Sequence, residues 1–303
     1  MGSEVAAPSI AWLGQGECHD CALLGGKAAS LCHLAAEHCI PPAFCVTAAA
    51  FERARPEQSP IEEDASLASL SPELYAELTE AYRALGRRCG RDAPSVAVRS
   101  SALDEDGAAA SFAGQHETYL NIVGPEAVAE AVVRCWASLH SPRALEYRRR
   151  QGLSLVDARI AILVQQLVPA DVSAVLFSAN PVSGHRDEVV INASWGLGES
   201  IVGGTVTPDT YVVCKADQAV VRRQIAEKAR MTVTAPGGTR EVDVPRFMRA
   251  RAALTDAQAA EMAQLAMALE DRMGHPVDVE CAYHAGKLHL LQCRPITTLV
   301  GAA

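Results

Sequence analysis

Val277-Asp278-Val279-Glu280-Cys281-Ala282-Tyr283-His284-Ala285-Gly286-Lys287-Leu288-His289-Leu290-Leu291-Gln292-Cys293-Arg294-Pro295 reads as two β-strands joined by a tight turn. Val277 to His284 and Leu288 to Cys293 are the strands, over the turn Ala285-Gly286-Lys287. Side chains alternate across a strand, so the turn length decides which polar residues share a face. A three-residue loop at 285–287 places Glu280 opposite Gln292, with Arg294 two residues further. A two-residue Ala285-Gly286 loop places Glu280 and Gln292 on opposite faces. A carboxylate and an amide oxygen on one face suit a hard cation such as magnesium. A rim of solvated polar residues fits the same spacing.

The pattern before the hairpin is strand-rich. Thr255 opens a long helix with Gln258 three residues on, the signature of a capping box, and Gly274 and Pro276 close it. Strands are expected over 160–168, 172–178, 188–192, 211–214 and 219–224. The first half is helix-rich. Helical spacing predicts helices over 23–38, from Pro72 behind the N-cap Ser71, over 125–139 and over 142–151. Short strands are expected over 44–46 and 95–99, and surface loops over 55–70 and 102–114. The fold class is therefore α/β (α+β) with mixed sheets.

Composition narrows the function. The chain has 303 residues, a net charge of −9 and no run of apolar residues long enough to span a membrane. The charge argues against nucleic acid or an anionic membrane as partner. Met1 to Ile10 has neither a basic nor an apolar segment of a secretory signal, so a cytoplasmic location with reduced thiols is expected. Cys18-His19-Asp20-Cys21 has no second CxxC to complete a zinc site, and Cys32 and Cys39 belong to an Ala-rich helical stretch. Lysine occurs only at Lys27, Lys215, Lys228 and Lys287, against 23 arginines. A lysine kept amid such a bias marks a place where a planar guanidinium does not serve.

Three further motifs suit phosphate. Gly25-Gly26-Lys27 puts a lysine and two glycines in the first turn of a helix, where N–H groups favour an anion. Cys21 and Ala28 exclude a Walker A loop, and Ile201 spoils a Rossmann reading of Gly196-Leu197-Gly198. Val98-Arg99-Ser100-Ser101 ends a strand on an arginine able to fork onto phosphate. Ser111-Phe112-Ala113-Gly114-Gln115 is a small-residue loop able to fold over a polyphosphate. Each motif alone also reads as ordinary surface.

Taken in order, the motifs resemble the N-terminal ATP-binding domain of the pyruvate phosphate dikinase and phosphoenolpyruvate synthase family, which includes rifampin phosphotransferase. The resemblance is carried by Gly25-Gly26-Lys27-Ala28, Val98-Arg99-Ser100-Ser101-Ala102, Ser111-Phe112-Ala113-Gly114-Gln115 and Val164-Gln165-x-Leu167-Val168. It continues through Phe177-Ser178-Ala179-Asn180-Pro181, Asn192-Ala193-Ser194-Trp195-Gly196-Leu197-Gly198-Glu199 and Pro208-Asp209-Thr210-Tyr211. It closes on Asp278-Val279-Glu280 and Leu291-Gln292-Cys293-Arg294-Pro295-Ile296-Thr297.

The resemblance implies one ATP-grasp-like domain over 1–303, with approximate lobes 1–165 and 166–303 and a nucleotide cleft between them. It implies that Lys27, Arg99 and Arg294 contact phosphates and that Glu280 and Gln292 hold Mg2+. Gly114 and Thr118 belong to the glycine-rich loop, and Gln165, Leu167, Val168 and Pro169 line the adenine pocket. It implies cleavage of ATP to AMP, transfer of the β-phosphoryl group to a histidine, and release of the γ-phosphate as phosphate or pyrophosphate. None of the nine histidines has the Gly-Gly-x-Ser/Thr setting of the family's acceptor, so a phosphohistidine domain on another domain or chain is the expected partner. The final small-molecule acceptor is not readable. A direct small-molecule kinase and a non-catalytic ATP-binding regulatory module are the alternatives. Two positions depart from the family pattern: Ala174 stands where Gly is usual, and Cys281 where an aromatic usually follows the metal-binding glutamate. Lys27, Lys228 and Lys287 fall within family motifs and Lys215 does not.

Overall fold

The computed structural model describes residues 7–16, 20–54, 70–103, 117–154 and 158–296. The chain divides into two compact units, Met1–Ala36 with Pro42–Leu167, and Glu37–Pro41 with Val168–Ala303. The expected loops over 55–70 and 102–114 lie almost wholly outside the described residues.

The first unit contains β1 (Ile10–Trp12), α1 (Cys21–Leu34), β2 (Ala43–Val46), α2 (Ala48–Ala54), α3 (Pro72–Cys89), β3 (Val96–Ala102), β4 (Thr118–Ile122), α4 (Pro125–Ser138), α5 (Pro142–Arg150) and β5 (Ile160–Gln166). Its antiparallel sheet runs in the order β1-β2-β5-β3-β4. Alternation sorts the faces. Val96, Val98, Ile160, Ile162 and Val164 join Leu78, Leu85, Val132 and Trp136 of α3 and α4 in one core. The opposite face carries Ala97, Arg99 and Ser101 of β3, paired with Gln165, Leu163 and Ala161 of β5. Helix α3 starts as expected, with the Ser71 hydroxyl accepting from Leu74 N and Pro72 in the first turn.

Helix α1 stops at Leu34, four residues short of the expected end. Tertiary contacts take over from helical spacing there. Glu37 lies 3.6 Å from Arg272, and the Leu290 N–H donates to the Cys39 carbonyl at 2.9 Å. Residues 37–41 thus belong to the second unit although the chain on both sides belongs to the first.

The second unit contains β6 (Val172–Phe177), β7 (Glu188–Trp195), α6 (Glu199–Val202), β8 (Asp209–Cys214), β9 (Val220–Gln224), β10 (Arg230–Ala235), β11 (Gly238–Asp243), α7 (Arg246–Arg249), α8 (Asp256–Met273), β12 (Val277–His284) and β13 (Lys287–Pro295). Six strands form one antiparallel sheet in the order β13-β12-β6-β7-β8-β9, and β10 and β11 form a separate hairpin. Helix α8 begins with the expected capping box between Thr255 and Gln258 and ends on left-handed Gly274. It packs Met262, Ala266 and Leu269 against one sheet face. The Tyr283 hydroxyl donates to Glu261 of α8, so Val277, Val279, Cys281 and Tyr283 point to that helix. Asp278 and Glu280 point to the other face.

Candidate functional site

The first unit joins motifs that are far apart in the chain. Gly25 interrupts α1 with φ +69°, and Lys27 follows in the turn that restarts the helix. A Cβ on Gly25 would lie 2.2 Å from the Ser101 carbonyl oxygen and 2.6 Å from its hydroxyl. Only glycine permits so close an approach at that φ. The approach seats the turn on the end of β3. Lys27 Nζ donates to the Ser100 carbonyl at 3.2 Å, and Ala28 N–H donates to Ser101 Oγ at 3.3 Å. Arg99 pairs with Thr118 of β4 on one side and Leu163 of β5 on the other. Gln165 lies diagonally from Arg99, opposite Ala97, on the same face. Lys27, Arg99, Thr118 and Gln165 are thereby gathered on the α1 side of one sheet.

Gln165 is 2% exposed, and its Nε2 has no hydrogen-bond partner among the described residues. A buried amide donor left alone is costly and is met by a ligand acceptor at a binding site. Leu167, Val168 and Pro169 follow at the exit of β5, where Leu167 N–H donates to the Ser95 carbonyl at 2.9 Å. Val168 is buried and Pro169 exposed. Gly114 lies outside the described residues.

Replacing Gly25 by alanine is expected to destabilise the chain by at least about 1–2 kcal/mol, the cost of forcing an L side chain into left-handed backbone, before the clash with Ser101 is counted. A urea midpoint measures the loss. An unchanged midpoint would show that the turn is not held on β3.

In the second unit the hairpin settles the register by a route that turn length alone does not reveal. His284 pairs with Lys287, so the loop is the two residues Ala285 and Gly286, at φ 49° and 77°. That is a type I′ turn, which matches the strand twist. The three-residue loop is therefore corrected. Yet Glu280 still lies opposite Gln292, because the register shifts between Glu280 and Cys281. Cys281 pairs with Leu290 and Glu280 with Gln292, leaving Leu291 as a β-bulge. The extra residue turns Gln292 and Arg294 onto the face of Glu280 and Asp278.

Asp278 is the member of this group that sequence reasoning left without a role. Its Oδ2 accepts from Arg294 Nε at 2.9 Å and from Nη2 at 2.7 Å. Burial raises the Asp278 pKa, opposed by the Arg294 charge, with Glu280 adding to the rise. The signal was present: Asp278 and Arg294 sit two residues beyond Glu280 and Gln292 on paired strands. What hid it was the unknown register. Asp278 orients the guanidinium, and Glu280 and Gln292 lie opposite each other on the same face. Among the described residues no cluster of three His, Cys, Asp or Glu side chains is placed to hold a metal. A cation at Glu280 and Gln292 must complete its shell with water and ligand oxygens, as magnesium does on phosphates.

The two departures from the family pattern prove to be neighbours. Ala174 and Cys281 pair directly across β6 and β12, at 2% and 1% exposure. Both face α8, away from Glu280 and Gln292. An added methyl beside a smaller partner keeps the filled volume similar, which cores tolerate best. They are packing changes on the opposite sheet face, although Cys281 follows Glu280 directly in the chain.

Comparison with known proteins identifies the family. The family described as "Pyruvate phosphate dikinase, AMP/ATP-binding domain" matches residues 52–302. A "Probable phosphoenolpyruvate synthase" of Methanocaldococcus jannaschii is 40% identical over 96% of this chain and 27% of its own length. A phosphoenolpyruvate synthase of Pyrococcus furiosus is 44% identical over 75% of this chain and 29% of its own length. A rifampicin phosphotransferase of Streptomyces sviceus is 41% identical over 92% of this chain and 34% of its own length. The chain thus spans about a third or less of these relatives.

Proposed function

Because the chain belongs to the pyruvate phosphate dikinase AMP/ATP-binding domain family, we propose that it binds magnesium-ATP, cleaves it to AMP and passes the β-phosphoryl group to a histidine outside residues 1–303. In this reading the fold is ATP-grasp-like. The first unit supplies Lys27 and Arg99 to the phosphates, Thr118 to the loop over them, and Gln165 with Leu167, Val168 and Pro169 to the adenine. The second unit supplies Arg294, held by Asp278, and the oxygen donors Glu280 and Gln292.

The observation that carries the reading is the convergence on one sheet face of Lys27, Arg99, Thr118 and the Gln165 amide, whose Nε2 has no partner among the described residues. Phosphoryl transfer demands mainly positioning and positive charge against developing negative charge. Lys27 is held against the Ser100 carbonyl before ligand arrives, so little of its reorganisation is left to the reaction. Bound magnesium supplies further charge to the phosphates. Its one protein carboxylate, Glu280, neutralises a single charge, so the metal is expected to bind well only together with ATP.

Magnesium-ATP is expected to raise the melting temperature, since a ligand selective for the folded state stabilises it by mass action. Lys27→Ala, Arg99→Ala and Arg294→Ala should each shrink that rise. No rise at millimolar magnesium-ATP would overturn the reading. Chromatography of the products, with a phosphoryl-accepting histidine domain supplied, should find AMP. ADP as the main product would favour a direct kinase.

A further inference from the structure

Four of the described cysteines are reached by solvent: Cys21, Cys39, Cys89 and Cys214. Of these, Cys39 alone faces an imidazole. Its Sγ lies 3.4 Å from His289 Nδ1. The same segment grips the same strand through its backbone, Leu290 N–H donating to the Cys39 carbonyl at 2.9 Å. Side chain and main chain together form a clasp on β13, the edge strand of its sheet. The clasp sits one residue before the Leu291 bulge that brings Gln292 opposite Glu280.

We propose that Cys39 is a reactive thiol toward soft electrophiles and peroxides, with His289 as its proton acceptor, and that its modification opens the clasp on β13. Weaker magnesium-ATP binding then follows through Gln292 and Arg294, a consequence that rests on the function proposed above. The thiolate is the nucleophile, and an imidazole in contact with the sulfur removes the proton as attack proceeds. Burial, with help from Lys287 and His284, lowers the His289 pKa and keeps the ring neutral, ready to accept. With hydrogen peroxide, Sγ attacks one peroxide oxygen while its proton passes to Nδ1. The O–O bond breaks, the sulfur is oxidised to a sulfenic acid, and the leaving hydroxide takes the proton from the imidazolium as water. The added oxygen must fit where sulfur and ring are already in contact, so ring and segment separate.

The test is peptide mapping after sub-stoichiometric iodoacetamide. Cys39 should be carboxamidomethylated first, and His289→Ala should slow it about 10²-fold, the lower end for loss of a positioned base, with the Cys21 rate unchanged. His289→Gln, which keeps a polar side chain, should slow it likewise, and circular dichroism confirms folding of both variants. Cys21 reacting first, or a Cys39 rate indifferent to His289, overturns the assignment. Hydrogen exchange at the Leu290 amide should rise after peroxide treatment of the native chain and not of Cys39→Ser. Unchanged exchange with Cys39 fully oxidised overturns the clasp. The melting shift with magnesium-ATP should shrink in parallel. Its absence in the untreated chain counts against the proposed function, and labelling and exchange still decide this proposal.

Discussion

Lys228→Ala is expected to remove about 3–5 kcal/mol of folding stability, the usual cost of stranding one member of a buried ion pair. Lys228 and Asp209 are both 0% exposed, with Nζ 2.6 Å from Oδ1. Asp209 also accepts from Ala226 N at 2.9 Å and Ala253 N at 2.7 Å, and Lys228 Nζ donates to the Ala226 carbonyl at 2.9 Å. The pair joins the start of β8 to the segments before β10 and before α8. Lysine's compact ammonium fits this enclosed site, whereas a guanidinium needs more room and a fork of acceptors. Lys228→Arg should therefore fail to restore stability, which explains a lysine held in a chain that otherwise uses arginine. Chemical denaturation of both variants is the measurement. A loss below about 1 kcal/mol, the scale of an exposed pair, would show that the pair is not enclosed.

Glu280→Gln is expected to lower ATP turnover by on the order of 10²-fold, the effect of removing one pre-positioned electrostatic contact from a transition state. The substitution keeps the shape of the side chain and removes its charge. Affinity for ATP should change far less, because the charge matters most as the phosphoryl group moves. Asp278 cannot take over, since Arg294 already occupies its Oδ2. Turnover, read as AMP formed with a histidine domain supplied, and ATP titration of the same variant separate the two effects. Near-normal turnover would make Glu280 a solvated rim residue.

Much of the fold was legible in the chain. The Ser71-Pro72 start and the Thr255–Gln258 box are local chemistry, settled within one helical turn. The apolar runs that became β5, β6 and β7 announced their burial by composition alone. The hairpin β10–β11 was not foreseen, although Pro236-Gly237 marks its turn and Met231, Val233 and Ala235 alternate with polar residues in β10, because β11 carries Val242 as its one large apolar residue and the two strands pair only with each other as a sheet. Strands β1 and β4 were also missed, being short segments that exist by pairing with β2 and β3.

Motif chemistry singled out Lys27, Arg99, Glu280, Gln292 and Arg294, because side-chain type and local spacing are properties of the chain itself. Tertiary structure alone decided how the residues of each unit come together. Gly25 had to touch Ser101, 76 positions away in the numbering, for Lys27 to reach the Ser100 carbonyl at the end of β3. Leu291 had to bulge for Gln292 to face Glu280, since a one-residue change of register turns every later side chain to the opposite face. Asp209 and Lys228 had to be enclosed together for the lysine to be irreplaceable. Close approach, register and enclosure are relations between distant segments, and they come into being only when the chain packs.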